Sequence, residues 1–194
     1  MLGSFPVAYL LVKWKSRVDI RLAGSGNVGT VNAFEVTGSK SLSIGILVAD
    51  IIKGTAAVVL AKWMLGNEFN ILATAGLSAI LGHSFPVWLR FQGGRGLATT
   101  VGVMLVLGWI FIVIWIIVWA GAYRSTKSIH AGNILASACS PVIVALVPSE
   151  FLAQALPHYT SPTNLLYFSM AFCAITIATH RQPLMAFIRR NHRS

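Results

Sequence analysis

The chain has 194 residues, 56% of them hydrophobic and only 10% charged, with a mean hydropathy of +0.74. A soluble domain carries about 25% charged residues, so this composition excludes an ordinary water-soluble globule and puts apolar surface in lipid. Fifteen Lys and Arg against five Asp and Glu give a net charge of +10; these cations sit at the ends of long apolar runs rather than on one polar face, which excludes a nucleic-acid partner and fits a multispanning membrane protein.

Residues 1–12 are apolar but fall short of the roughly 20 needed to cross the hydrocarbon layer as a helix. No basic leader precedes them and no small-x-small site follows, which argues against a cleaved signal. They are expected to form the inner part of a first membrane helix whose beginning is missing. A polar loop follows with Lys13, Lys15, Arg17, Arg21 and Lys40. It holds Gly24-Ser25-Gly26-Asn27-Val28-Gly29-Thr30-Val31-Asn32, a small, glycine-dense stretch of the kind whose backbone N–H groups suit phosphate oxygens.

A second span covers residues 43–65 and carries Asp50 and Lys53, whose i,i+3 spacing lets them pair inside the bundle. A structural ion pair is the plain reading of those two. The third span, 71–89, ends in Gly82-His83-Ser84-Phe85-Pro86, where proline stops or kinks the helix. The connector Arg90 to Gly96 contains Gly93-Gly94-Arg95-Gly96, a second glycine turn around one cation. Apolar sequence then runs to Tyr123, too long for one span, and is divided into helices at 97–107 and 108–123 with a turn at Leu107-Gly108.

After Arg124-Ser125-Thr126-Lys127-Ser128 a sixth span is expected at 129–147, then a loop with Pro148, Pro157 and Pro162, and a seventh span at 164–179. His180-Arg181 opens a basic tail with Arg189, Arg190 and Arg193. Cys139 and Cys173 lie in apolar runs without metal-ligand or disulfide spacing, so neither metal nor cofactor is expected. The expected fold is an all-α integral membrane protein, one domain over 1–194 built as a seven-transmembrane-helix bundle.

Alternating the sides of seven spans puts the connectors at 13–42, 90–96 and 124–128 and the tail from 180 together, with 13 of the 15 cations. That side is expected in the cytoplasm of a cell membrane. The connectors offer glycine backbone at 24–29 and 93–96, hydroxyls at Ser25, Ser125, Thr126 and Ser128, the cations Arg95 and Lys127, and the imidazoles of His83 and His180. Two glycine turns suggest two phosphate-bearing substrates. Set against this, glycines also make plain turns between membrane helices, and either histidine can serve only as a helix-end or interface residue. No His is followed five residues on by Asp, so a histidine base held by a nearby Asp is absent. No paired acids suit glycosidic chemistry, and there is no cluster of carboxylates or cysteines for a metal.

These segments, in this order, resemble the bacterial acyl-phosphate:glycerol-3-phosphate acyltransferases, the PlsY type. Leu2 to Pro6 is similar to the family's first helix and Gly24 to Asn32 to its first cytoplasmic motif. Gly82 to Pro86 with Phe91 to Thr99 resembles the second motif, Tyr123 to Ile129 with His180 the third, and Asp50 with Lys53-Gly54 the second helix. The resemblance implies transfer of a fatty acyl group from acyl phosphate to the first hydroxyl of glycerol 3-phosphate, giving lysophosphatidic acid and phosphate, with membrane lipid as surroundings.

It also implies roles. Ser25, Arg95 and His180 would be catalytic. Gly24, Gly26, Asn27, Gly29, Asn32, His83, Gly93, Gly94, Gly96, Ser125, Lys127 and Ser128 would bind substrate, with Arg95 in place of the family's lysine. Departures from the pattern are Glu35 for an arginine, Val31 for a threonine, Pro183 for an asparagine and the added cation Lys127, which is expected to offset Glu35. The alternatives are a divergent acyltransferase with another acceptor or low activity, and a membrane transporter or binding protein for organic phosphates. The latter predicts pseudo-symmetric halves, and no internal repeat is visible.

Overall fold

The computed structural model describes residues 2–191, with side chains described through 181 and at 183 and 185. Arg193, expected in the basic tail, lies outside the described residues, as do Met1 and the side chains of Arg189 and Arg190. Among the described residues all regular structure is helical. The helices are α1 (Val7–Ser16), α2 (Thr30–Thr37), α3 (Lys40–Leu65), α4 (Phe69–Ser84), α5 (Leu97–Leu107), α6 (Ile110–Thr126), α7 (Ile129–Leu146), α8 (Ser149–Ala155) and α9 (Pro162–Asn191). Four segments are long and apolar enough to cross a membrane: Lys40–Leu65, Phe69–Leu89, Ile129–Leu146 and Pro162–Arg181. Helices α5 and α6 are shorter and apolar.

The chain forms two compact units, one of residues up to 66 with 74–106, the other of 67–73 with residues from 107 on. In the first unit α3 begins at Ser39, whose hydroxyl accepts from the Leu42 N–H, and ends at Gly66. At about 1.5 Å per residue this helix is long enough to span the hydrocarbon layer. Its outer face shows Ile44, Leu47, Val48, Ile52, Val59 and Leu60, a lipid-facing stripe. The inner face packs on α5 backbone to backbone. A β-carbon at Gly54 would strike the Thr99 carbonyl, one at Gly102 would strike the Ile51 carbonyl, and Thr55 Oγ1 donates to the Gly102 carbonyl at 2.9 Å. Small residues at such crossings let helices approach where lipid removes the usual hydrophobic drive.

Helix α2 corrects the expectation of a polar loop over the whole of 13–40. Gly29 precedes it, and Gly38 at φ 64° closes it by donating to the Phe34 carbonyl. It buries Ala33 against Ala8, Val12, Ile20, Val28, Ile46 and Leu89. That small core places the first glycine loop between α1 and α2.

In the second unit α7 packs against α6 and α9. The α6–α7 turn has Lys127 at φ 53° donating to the Tyr123 carbonyl, and Ser128 capping α7 by accepting from the Ala131 N–H. Trp119 stacks on Tyr123 with ring centroids 5.2 Å apart, and Gly132 lets the Trp119 indole lie close to α7. The expected proline loop before the last helix contains α8, and α9 continues as helix beyond residue 179.

Candidate active site

The first glycine loop is built around a side chain. Asn32 is fully buried; its Oδ1 accepts from the Ser25 N–H at 2.9 Å. Its Nδ2 lies 3.1 Å from the Ile20 carbonyl, 3.1 Å from that of Ala23 and 3.0 Å from that of Asn27. Gly24 and Gly26 take φ of +57° and +72°, the left-handed region that favours glycine. The outcome is an exposed Ser25 whose main chain is fixed from inside. Asn32, expected among the substrate contacts, is therefore spent on the backbone, while Ser25 and Asn27 are presented outward or partly so.

The second glycine turn lies against the C-terminal end of α4. Gly93 N–H donates to the Ser84 carbonyl and Gly94 N–H to the His83 carbonyl, both at 3.2 Å, so these two amides are taken by protein and not free for phosphate. The backbone cradle expected over Gly93 to Gly96 is therefore without these two donors. The glycines are needed for room: a β-carbon at Gly93 would strike the carbonyls of His83 and Ser84, and one at Gly94 would strike His83 Nε2 and the Val28 carbonyl. Gly94 thus joins the two glycine motifs, separated by more than sixty residues in sequence.

Arg95 follows directly and is half-buried. Burial pushes its guanidinium down from the usual value, with the Glu35 carboxylate opposing; a guanidinium stays protonated at neutral pH regardless. Glu35 Oε2 also lies 3.4 Å from where a Gly24 side chain would begin, so this acidic departure stands between the two turns. Gly96 at φ +81° leads into α5, whose first N–H groups have no intrahelical partner. Ser84 Oγ and Thr99 Oγ1 are buried with no hydrogen-bond partner. Behind the turn, Asp50 Oδ1 is 2.8 Å from Lys53 Nζ and 3.5 Å from His83 Nδ1.

In the second unit His180 is fully buried. Its Nδ1 is 2.9 Å from the Thr176 carbonyl and 3.2 Å from Thr179 Oγ1, and its Nε2 is 3.1 Å from Asn133 Nδ2. A carbonyl only accepts, so Nδ1 carries the proton and Nε2 accepts from the Asn133 amide. Sequence reasoning missed Asn133. The available signal was a carboxamide one turn beyond the Ser128 cap inside an apolar run, since polar side chains at membrane depth seek partners. The His130 ring lies 5.8 Å from that of His180. Ser125, placed in the connector by sequence, is on the last turn of α6 and donates to the Gly121 carbonyl at 3.2 Å. Lys127 is exposed and Ser128 half-buried.

Residues 1–190 match the family model described as glycerol-3-phosphate acyltransferase. The chain is 36% identical over 191 residues to a glycerol-3-phosphate acyltransferase of Myxococcus xanthus, covering 98% of this chain and 93% of that protein. It is 40% identical over 144 residues to one of Bradyrhizobium diazoefficiens, covering 74% and 71%. Among solved structures it is similar to the glycerol 3-phosphate form of PlsY (YgiH), an integral membrane glycerol 3-phosphate acyltransferase. The TM-score is 0.78 at 28% identity, with 97% of this chain and 87% of that one covered. The lysophosphatidic acid form of the same enzyme gives 0.76 at 27% identity, with the same coverage.

Proposed function

The chain belongs to the glycerol-3-phosphate acyltransferase family, and from that premise we propose that it moves a fatty acyl group from acyl phosphate to the first hydroxyl of glycerol 3-phosphate. It is an integral membrane acyltransferase; the donor, the site residues and the side of the membrane are our reading. The observation that carries this reading is the junction of the two glycine turns at Gly94 and Val28, with the Arg95 cation on the next residue.

Acyl phosphate is a mixed anhydride. The hydroxyl oxygen of glycerol 3-phosphate attacks the acyl carbon, the bond from that carbon to the bridging phosphate oxygen breaks, and the departing phosphate takes up the hydroxyl proton. Lysophosphatidic acid and inorganic phosphate result. Because the leaving group is already good, holding two anions in register and stabilising developing charge supplies most of the acceleration. Arg95 is suited to that task, and Ser25 with Asn27 offers hydrogen-bonding groups on the adjoining loop. In the second unit we assign Ser125, Lys127, Ser128 and His180 to substrate contact. The His180 ring is held between Asn133 and Thr176, which fixes its orientation.

The test is phosphate release by the purified chain in lipid nanodiscs. Release from acyl phosphate is expected only with glycerol 3-phosphate present, together with lysophosphatidic acid in equal amount. Release that is independent of the acceptor, or none at all, overturns the reading.

A further inference from the structure

Asp50, Lys53 and His83 stand together inside the first unit with no part in the reaction as drawn above. They are 2%, 9% and 8% exposed, with Asp50 Oδ1 at 2.8 Å from Lys53 Nζ and 3.5 Å from His83 Nδ1. Lys53 Nζ also donates to the Phe5 carbonyl at 3.3 Å. Desolvating two charges largely cancels their attraction, and apolar residues of similar volume often serve stability as well. Stability alone therefore gives little reason for this cluster.

Its neighbours give a better one. A carboxylate accepts only, so the edge of His83 that faces Asp50 is Nδ1–H, and the opposite edge of the ring is Nε2. That opposite edge lies against Gly94, where a β-carbon would strike Nε2. The His83 carbonyl accepts from the Gly94 N–H as well. Ring and main chain of one residue therefore hold Gly94, next to Arg95, while the Val28 carbonyl bounds it from the first glycine loop.

We propose that Asp50 is a positioning residue for acyl transfer: acting through the ring of His83, it fixes the turn at Gly93–Gly96 and with it the place of the Arg95 guanidinium, Lys53 supplying the counter-charge. The proposal rests on the acyltransferase reading above. A displacement of about 1 Å at such a group costs up to about a hundredfold in rate or binding, and supporting side chains set that distance.

The decisive variant is Asp50→Leu with Lys53→Met, which removes both charges at similar volume. In nanodiscs it is expected to keep the wild-type Tm to within a few degrees while raising KM for at least one phosphate-bearing substrate about tenfold, with kcat within about twofold. His83→Leu raises the same KM, and adding the double substitution to it changes nothing further, because Asp50 works only through that ring. Asp50→Asn with Lys53→Met, whose amide oxygen still accepts from His83 Nδ1–H, stays within about threefold of wild type; its contrast with His83→Leu decides the matter if the Leu–Met double variant does not fold. Unchanged KM values in a folded variant, or effects that multiply, overturn the proposal. Wild-type protein without acyl transfer overturns the functional reading instead. Amide hydrogen exchange over residues 92–97 then judges the positioning: about tenfold faster exchange in His83→Leu is expected, and unchanged exchange refutes it.

Discussion

Arg95 is the residue on which the charge of the proposed site depends, and its setting separates charge from geometry. A lysine in its place keeps one positive charge as a compact ammonium and loses the planar fork. Arg95→Lys is expected to keep phosphate release within about tenfold of wild type, whereas Arg95→Ala loses about a hundredfold to a thousandfold, both read from initial rates. Alanine at wild-type rate removes Arg95 from the site. Asn32 belongs to the same motif but serves the loop. An aspartate there would put oxygens against the Ile20, Ala23 and Asn27 carbonyls, so Asn32→Asp should cost at least about 2 kcal/mol in denaturant titration and take activity with it. The motif was legible in sequence as a polar glycine segment, and the division of labour within it was not. An Asn that contacts substrate and an Asn that accepts from Ser25 N–H look alike until the chain turns back on itself, and Asn133 went unread for the same reason, since its partner His180 lies 47 residues away.

At the scale of elements, hydropathy placed the long apolar helices well because lipid demands continuous apolar sequence, and it was silent on α2. Thr30–Thr37 holds four β-branched residues in eight, weak helix formers in isolation. Tertiary burial of Ala33 and the glycines at both ends make it helical. Helix crossings were equally invisible, since Gly54 reads as a weak point until Thr99 is seen against it. Gly54→Val should prevent α3 and α5 from closing, because the obstructing atom is backbone and cannot yield; a Tm lowered by ten degrees or more is expected, and an unchanged Tm contradicts the crossing. The turn Ile20–Leu22 offers a pH readout. Asp19 caps it, accepting from the Arg21 N–H and pairing with the Arg21 guanidinium at 2.7 Å, which holds its carboxyl below the usual value. A depressed acid contributes its stability above the unfolded value of about 4 and loses it as pH falls through the folded one. Amide exchange over 19–23, corrected for the intrinsic pH dependence, should therefore stay flat from neutral pH to about 5 and quicken only in stronger acid. Asp19→Asn should show the quick rate throughout, by an amount worth under about 1 kcal/mol for so exposed a pair.

For the molecule as a whole, the distribution of charge argues which way it sits in the bilayer. Thirteen of 15 cations lie in the connectors at 13–42, 90–96 and 124–128 and in the tail from residue 180, and cation-rich connectors are retained in the cytoplasm. Substrate chemistry argues the same way, because glycerol 3-phosphate is a dianion that does not cross lipid unaided, and a turn proposed to grip it must open to the compartment that holds it. Gln92, beside the second glycine turn, is exposed, as are Lys127 and Asn67. Single cysteines at these positions, introduced after Cys139 and Cys173 are replaced by alanine, give the test. A membrane-impermeant maleimide added to spheroplasts should label Asn67→Cys at once. It should reach Gln92→Cys and Lys127→Cys only after lysis. Label at Gln92→Cys on intact cells would turn the glycine turns outward, away from the proposed substrate, and would require the expected seven crossings to be redrawn from the first helix onward.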